Sequence, residues 1–237
     1  MSVIKTKGVT KVYNPEKIAV NALKGVDLTI EPGEFAAIVG PSGSGKTTLL
    51  NIIGGLDRPS EGEVLVDGTD VSKLTDNQLI DFRKSHIGFV FQAYNLIPVL
   101  TARENVEFVM LLQKRPKAER DARTKELLSA VGLEDQTNKR PSEMSGGQQQ
   151  RVAVARALAS KPALILADEP TANLDSHSTA NLLDIMSRLN KEEGATFVFS
   201  THDQRVIDRA QRVITLEDGV IVGDEKRGEG VREGVRG

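Results

Sequence analysis

The nine residues Gly40 to Thr48, GPSGSGKTT, constrain the fold of this chain more than any other stretch. They match the pattern G-x-x-x-x-G-K-[ST], follow the apolar run Phe35 to Val39, and open a helical pattern that continues to Ile53. Glycines in such a loop let successive backbone N–H groups turn inward, and the N-terminus of the next helix adds partial positive charge. The sequence therefore predicts a phosphate-binding loop between a buried strand and a helix. A plain glycine-rich turn is the alternative.

The chemistry of this loop and of a later acidic pair points to a nucleotide and a metal. The side chain of Lys46 is expected to reach the β and γ phosphates, and the hydroxyl of Thr47 to bind Mg²⁺. An apolar run at 163–167 ends in Asp168 and Glu169. Because ligands gather at the carboxyl ends of parallel strands, we expect Asp168 to face the metal and Glu169 to orient or deprotonate an attacking water. The alternative is a solvated acidic strand end. The residues predicted to contact the nucleotide in the loop are Gly40, Pro41, Ser42, Gly43, Ser44, Gly45, Lys46, Thr47 and Thr48.

Hydrophobic periodicity divides the rest of the chain into strand-rich and helix-rich parts. Strands are predicted at 3–12, 26–30, 35–39, 62–67, 87–91, 212–216 and 220–222, and a strand, helix and strand follow one another over 163–200. Helices are predicted at 45–53, 103–112 and 117–131, so that residues of about 93–160 form a helical insert. The domain is expected to occupy 1–223, and the stretch 224–237, rich in charge and glycine, is expected to be a flexible tail.

Composition excludes several classes of function. The 237 residues include 31 basic and 33 acidic side chains, so the net charge of −2 gives no global attraction to nucleic acid or to an anionic membrane. There is no cysteine and there are only three histidines, which excludes disulfides and makes a thiolate metal site impossible. No run approaches the ~18 apolar residues of a membrane span. We therefore expect a cytoplasmic protein without nucleic-acid partners, in which any membrane role goes through another protein.

A second candidate anion site stands about a hundred residues after the first. Ser145, Gly146, Gly147 and Gln148 open an amphipathic helix. A structural helix cap is the alternative. Taken together, this SGGQ element, the phosphate loop and the acidic pair resemble the signature motifs of the ATP-binding cassette (ABC) ATPases, and the resemblance covers nearly the whole chain. It implies an α/β fold, in which a P-loop NTPase core with a mainly parallel sheet carries an N-terminal antiparallel β subdomain and an inserted helical subdomain.

The resemblance also implies roles for four single residues, with ATP and Mg²⁺ as the ligands. Tyr13 would stack on adenine, although a core aromatic at a strand end is the alternative. Gln92 would bind Mg²⁺ and water beside Thr47 and Asp168 and report the nucleotide state to the helical insert; a plain surface glutamine is the alternative. The imidazole of His202 would contact the γ phosphate and hold Glu169 and the water in line, or simply cap the next helix. Asp175, in the sequence ANLD, would also belong to the nucleotide site.

Cassettes of this family pair head to tail, which explains why one chain carries two anion sites. The resemblance implies that Ser145 and the Gly146 and Gly147 amides of one chain contact the γ phosphate held by the other chain. It implies a homodimer that closes on ATP, bound on the inner face of the cell membrane to integral permease subunits. Met144 and Asn173 depart slightly from the family pattern without affecting the chemistry.

Three segments resemble the branch that contains lipoprotein-release, macrolide-export and cell-division ATPases: 51–57, 87–92 and 94–105. The expected function is export or extraction driven by ATP. The alternative is a regulatory ATPase of the cell-division type, which signals across the membrane and carries nothing. DNA-repair and translation-factor cassettes are disfavoured, because the chain has neither a long coiled coil nor a second cassette. Exposed apolar residues within 93–112 are expected to receive a helix of the permease, unless they are ordinary core of the insert.

Overall fold

Two sheets contain the strands of this chain. The structure is a computed structural model, and it describes residues 1–14 and 16–227. The strands are β1 (Ile4–Tyr13), β2 (Val20–Ile30), β3 (Phe35–Val39), β4 (Glu61–Val66), β5 (Thr69–Asp70), β6 (Ile87–Phe91), β7 (Leu164–Asp168), β8 (Thr196–Ser200), β9 (Arg212–Glu217) and β10 (Val220–Lys226). The α-helices are α1 (Lys46–Ile53), α2 (Asp76–His86), α3 (Ala102–Leu112), α4 (Lys117–Ala130), α5 (Gly146–Leu158), α6 (Ser176–Glu193) and α7 (Gln204–Ile207).

The larger sheet has six strands in the order β10-β9-β3-β8-β7-β6. Strands β9, β3, β8, β7 and β6 run parallel, and β10 pairs antiparallel with β9 at one edge. The inner strands β3, β7 and β8 are mainly apolar and buried, with polar residues only at the ends of β7 and β8, as expected for a parallel sheet covered on both faces. Three phenylalanines pack within it, and the rings of Phe35 and Phe199 lie 4.6 Å apart.

The smaller sheet is antiparallel, with the order β2-β1-β4-β5. It packs through one apolar core against α1 and one face of the larger sheet. A second core lies on the other face, where α3, α4, α5 and α6 pack. The fold is therefore the expected α/β core with an antiparallel β subdomain and helices inserted between β6 and β7.

The structure corrects the predicted end of the domain. A boundary after residue 223 falls inside β10, which continues to Lys226. Asp224 belongs to this strand because both of its carboxylate oxygens accept hydrogen bonds from the buried Arg212, each at 2.7 Å. A charged residue such as Asp224 can thus be part of a strand when a buried cation on the neighbouring strand pairs with it. Residues 228–237 of the predicted tail lie outside the described part of the chain.

Helix α2 was not predicted, because its sequence is polar on most of its surface. A capping box defines its start: the hydroxyl of Thr75 accepts from the Gln78 N–H, and the Gln78 side chain accepts from the Thr75 N–H. Only Leu79 and Phe82 are buried on it. Two apolar contacts are enough to dock a capped helix, but they give too weak a periodic signal to be recognised in the sequence.

Candidate nucleotide-binding and catalytic site

The loop from Gly40 to Thr48 follows the central strand β3 and leads into α1, as the sequence predicts. Two of its glycines are required by close backbone approach. A Cβ on Gly40 would lie 2.0 Å from the carbonyl oxygen of Leu216, and a Cβ on Gly45 would lie 2.5 Å from that of Ala22. Both glycines also have positive φ angles, of 151° and 105°. The loop is therefore wedged between the two sheets and cannot accept side chains at these positions.

The ammonium group of Lys46 lies inside the loop. The residue is only 8% exposed, and its Nζ donates to the carbonyl oxygens of Gly40 at 2.8 Å and Pro41 at 2.9 Å. The hydroxyl of Ser44 is buried, with no hydrogen-bond partner among the described residues. A cation and an orphaned hydroxyl within a glycine loop suit an anion that supplies several acceptor oxygens.

A cleft of about 570 Å³ opens above this loop, a volume usual for a small-molecule site. The phosphate loop forms one wall, and Gln92, Glu169 and His202 lie opposite. Three residues of β2 that the sequence did not single out complete the lining: Val20, Asn21 and Ala22. No motif in the sequence marks these three residues, because they reach the phosphate loop only through the packing of the small sheet beside it.

Strand register explains why distant residues meet in this cleft. Asp168, the last residue of β7, pairs with Phe91 on one side and with Ser200 on the other. Gln92, Glu169 and Thr201 are therefore the first residues beyond three neighbouring parallel strands. These residues thus lie at the carboxyl ends of parallel strands, where such sheets bind their ligands.

The chemistry of the donor set fits Mg²⁺ bound together with phosphates. The Thr47 hydroxyl donates to Asp168 Oδ1 at 3.0 Å, so two oxygens that can ligate a cation are already adjacent. Within residues 1–14 and 16–227, no group of three or more His, Asp or Glu side chains forms a metal cage. Mg²⁺ commonly uses one or two protein oxygens and takes its other ligands from phosphates and water. Thr47, Asp168 and the nearby Gln92 match that pattern.

Glu169 has a left-handed backbone, with φ of 45°, which turns its side chain back over the strand ends. Its Oε1 lies 2.7 Å from Nδ1 of His202, and its Oε2 accepts from the Thr201 hydroxyl at 3.1 Å. The His202 side chain is 77% exposed and that of Glu169 is 18% exposed. The carboxylate is thus held at the rim of the cleft, where a water molecule can reach it.

The loop that carries Gln92 is attached to α5. The Gln150 amide donates to the carbonyl of the residue before Gln92 at 3.3 Å and to that of Pro170 at 2.7 Å. Arg156 donates to the carbonyl of Tyr94 at 3.0 Å, and Asn173 donates to that of Gln92 itself at 3.0 Å. Gln150, a polar residue on an apolar helix face, was not predicted to be a site residue, because the carbonyl groups that it contacts are distant in sequence.

Tyr13 is not a core aromatic, since it is 36% exposed at the end of β1. Its hydroxyl donates to Asp57 Oδ2 at 2.8 Å, and the Nζ of Lys11 lies 4.8 Å from the centre of its ring. Partial burial and the hydrogen bond to Asp57 raise the pKa of the Tyr13 hydroxyl. Tyr13 is not among the described residues that line the cleft, although Val20, its partner on β2, is. Stacking of its ring on adenine therefore stays a prediction.

The SGGQ element begins α5 with a capping box. The Ser145 hydroxyl accepts from the Gln148 N–H at 3.3 Å, and the Gln148 side chain accepts from the Ser145 N–H at 2.9 Å. The cap proposed as an alternative is therefore present. The Gly146 and Gly147 amides lie in the first helical turn, where N–H groups have no carbonyl partner within the helix. A Cβ on Gly146 would lie 2.6 Å from the Tyr94 hydroxyl.

Ser145, Gly147 and Gln148 line a hollow of about 140 Å³ together with the start of α6. Asp175 caps that helix, where Ser178 donates to it through both N–H and hydroxyl, and these bonds lower the pKa of the carboxyl group. Neither Asp175 nor the SGGQ residues are among the described residues that line the nucleotide cleft. The structure thus places the predicted site residues in two separate groups on one chain.

Comparisons with known proteins identify the family. The sequence profile described as "ABC transporter" matches residues 23–172. The chain is similar to the lipoprotein-releasing system ATP-binding protein LolD 1 of Rhodopseudomonas palustris, with 49% identity, over 93% of this chain and 99% of that protein. It is also 49% identical to the macrolide export ATP-binding/permease protein MacB of Wolinella succinogenes, over 92% of this chain but 34% of that protein.

A solved structure extends the likeness to the fold. The dimeric post-hydrolysis state of the ATP-binding cassette MJ0796 bound to ADP and Pi superposes with a TM-score of 0.87 at 48% identity. The match covers 95% of this chain and 99% of that one. A relative of that name comes from Methanocaldococcus jannaschii. With the motifs, the parallel sheet and the helical insert in the family's order, this chain belongs to the ABC transporter family as an ATP-binding cassette.

Proposed function

We propose that this chain is the ATP-hydrolysing subunit of an ABC transporter, and that it drives a separate membrane permease. The observation that carries the proposal is the assembly of Lys46, the Thr47–Asp168 pair and the Glu169–His202 pair around one cleft. The chemistry of these side chains suits binding of phosphates, orientation of a water molecule and binding of a metal ion. Mg²⁺, when bound, would neutralise charge on the phosphate oxygens.

The residues of this chain divide the work of hydrolysis. The Lys46 ammonium and the amides of the phosphate loop hold the β and γ phosphates in the line of attack. Glu169 accepts a hydrogen bond from the attacking water and takes its proton as the new bond to the γ phosphorus forms and the bond from that phosphorus to the bridging oxygen of the leaving ADP breaks. His202 turns an N–H toward the γ phosphate and restrains the phosphoryl group that is transferred to water. Gln92 lies between the cleft and the helical insert, so it is placed to sense the γ phosphate.

The two groups of site residues suit a head-to-tail dimer. In that arrangement the hollow beside Ser145 and Asp175 faces the nucleotide of the partner chain, and the γ phosphate joins the two surfaces. Dimeric structures of the similar cassette MJ0796 support a homodimer. The free first-turn amides of α5 and the negative charge of the phosphates are complementary, so removal of the γ phosphate weakens the contact.

The permease partner is inferred from the family and from exposed apolar residues. No described helix is both long and apolar enough to span a bilayer. Ile80 on α2 and Leu111 and Leu112 on α3 are each 47% exposed, and the Gln113 side chain ties the end of α3 to α2 by donating to the Lys84 carbonyl. Apolar side chains that remain exposed on a tied pair of helices suit a docking surface.

Leu96, which lies in the predicted docking segment, is partly buried and packs against the core on the side of the helical insert, whereas Val99 is 71% exposed. This packing favours the alternative of ordinary core for Leu96.

The substrate class follows from the relatives. LolD 1 and MacB are named for lipoprotein release and macrolide export, and we propose export or extraction of a lipoprotein, lipid or drug-like molecule. The second candidate, a regulatory ATPase of the cell-division type, shares the same site. Substrate-stimulated ATPase activity of the complex with a co-purified permease would favour transport, and its absence with an intact complex would favour regulation.

The direct test of the catalytic assignment is Glu169→Gln. We expect ATP binding to persist while kcat falls by about 10²- to 10⁴-fold, because the amide cannot accept the water proton. The variant should then accumulate as a dimer in ATP, measured by light scattering, and Lys46→Ala serves as a control that does not dimerise. A Glu169→Gln protein that stays monomeric in ATP and hydrolyses it at the normal rate would contradict the assignment.

A further inference from the structure

Glu169 is held at both carboxylate oxygens, by two residues of opposite exposure. Thr201 donates to Oε2 from a fully buried position, and His202 meets Oε1 with a side chain that is 77% exposed. The Thr201 side chain is therefore held more rigidly than the His202 side chain. A fully buried threonine at a strand end has few rotamers available, whereas an exposed imidazole can rotate on the nanosecond scale.

The direction of the Thr201 hydrogen bond is fixed by its surroundings. The Asp203 N–H donates to the Thr201 oxygen at 3.0 Å, and an N–H cannot accept, so the hydroxyl proton remains available for Glu169. The Thr201 N–H donates to the Ile38 carbonyl of β3 at 3.1 Å, which anchors the residue in the central sheet. Asp203 is itself held, because the hydroxyl of Thr171 donates to its Oδ2 at 2.7 Å.

His202 cannot perform both of its tasks at once as a neutral ring. A neutral imidazole has one N–H, and an ionised carboxylate only accepts hydrogen bonds. When that N–H turns to the γ phosphate, Glu169 Oε1 loses this partner. The contact from Thr201 does not depend on the position of the ring and remains.

We propose that Thr201 is a positioning residue for ATP hydrolysis, whose buried hydroxyl keeps the Glu169 carboxylate in line with the attacking water while His202 serves the nucleotide. This inference rests on the proposed role of Glu169 as the base. A carboxylate without the fixed donor can swing about its side-chain torsions, and a displacement of about 1 Å at a reacting group can cost about 10²-fold in rate.

The test compares Thr201→Val with Thr201→Ser in the purified full chain. Valine keeps the branched shape and removes the hydroxyl. We expect kcat to fall at least tenfold, while KM for ATP changes by less than about threefold. Serine restores the donor and should return kcat to within about threefold of the original. If Thr201→Val does not fold, Thr201→Ala replaces it with the same expectation.

Thr171→Val is the matched control. Thr171 is also a buried threonine, 1% exposed, and its hydroxyl bonds to the same loop through Asp203 without contacting Glu169. We expect this variant to lose less than about threefold in kcat. An equal loss in Thr171→Val and Thr201→Val would mean that general damage to the loop is responsible, and the proposal would be wrong.

A double-mutant comparison separates this inference from the proposed function. In a Glu169→Gln background, Thr201→Val should lower the residual rate by less than about twofold, because the group it positions is gone. A full further loss would refute the inference. Normal hydrolysis by Thr201→Val beside inactive Glu169→Gln would remove only the role of Thr201. Normal hydrolysis by Glu169→Gln would remove the role of Glu169 itself.

Discussion

The ion pair between Arg123 and Glu193 offers a quantitative test of how the helical insert is attached. Arg123 on α4 has a side chain that is only 5% exposed, and its two terminal nitrogens donate to the two carboxylate oxygens of Glu193 at 2.8 and 2.7 Å. It also donates to the Leu158 carbonyl at 3.1 Å. One guanidinium thus joins α4 to the last residues of both α5 and α6.

Replacement of Arg123 by methionine should destabilise the chain by about 3 kcal/mol. Breaking a buried pair by removing one partner costs about 3–5 kcal/mol, because the remaining charge is left without compensation. The lower end applies here, since the Glu193 side chain is 18% exposed and the cavity of about 340 Å³ beside it lets water reach the carboxylate. For a chain of this length, about 1 kcal/mol corresponds to 2–4 °C, so Tm should fall by about 6–12 °C.

Urea unfolding followed by circular dichroism measures this loss, with Glu193→Met and the double variant completing the cycle. Glu193→Met should cost less, because the Arg123 guanidinium keeps the Glu126 carboxylate at 3.1 Å and the Leu158 carbonyl as partners. The double variant replaces both charges by apolar groups and should be within about 1–2 kcal/mol of the original chain. If the two single losses simply add in the double variant, or if Arg123→Met costs less than about 1 kcal/mol, the Arg123–Glu193 pair does not stabilise the packing of these helices.

Two further predictions concern acid stability and the dimer. Asp203 has a pKa of about 2 because Arg205 and Thr171 hydrogen-bond its carboxylate. This lowered pKa gives stability that is complete above about pH 4 and is lost as the pH falls through 2, so Arg205→Met should cost about 1 kcal/mol in urea unfolding at pH 6, after allowance for solvent screening, and less toward pH 3. A constant difference at both pH values would show that the ion pair is not the cause. In a tethered dimer, Lys46→Ala in one cassette and Ser145→Arg in the other should leave one intact composite site, whereas both changes in one cassette should leave none. Higher ATPase activity or ATP-dependent closure in the second tether would refute the head-to-tail arrangement.

The sequence predicted the elements that a local pattern defines. The phosphate loop, the apolar inner strands and the acidic end of β7 each depend on a few consecutive residues, so their chemistry can be inferred directly. The strand-end rule applied to Asp168 and Glu169, whereas the roles of Gln92 and His202 came from the family resemblance; the strand order that brings these residues together is seen only in the structure. What could not be predicted depends on pairs far apart in the chain. Arg212 and Asp224 extend β10 beyond the expected boundary, and only the folded register makes them neighbours.

Whether a site residue could be predicted also depends on how far apart in the sequence its partners lie. Lys46 and Thr47 were assigned from their positions in a motif, but the function of Gln150 depends on carbonyls of two loops that are 59 and 20 residues away. Thr201, which directly precedes His202, was not predicted to be a site residue. Its contact with Glu169 joins the ends of two strands that are separated by a whole helix, and no periodicity in the sequence reports such a contact.

In the proposed head-to-tail dimer, the separation of the two hollows on one chain would make hydrolysis second order in protein while monomers dominate. A cleft completed only by the SGGQ helix of another copy is idle in an isolated chain, so in the head-to-tail arrangement activity per chain should rise with concentration until dimers dominate. Dilution would then lower the ATPase activity per chain. A permease that binds two cassettes side by side raises their effective concentration to the millimolar range and makes the reaction first order in complexes. Free copies in the cell would in this way consume little ATP, and hydrolysis would be confined to chains already docked where work can be done.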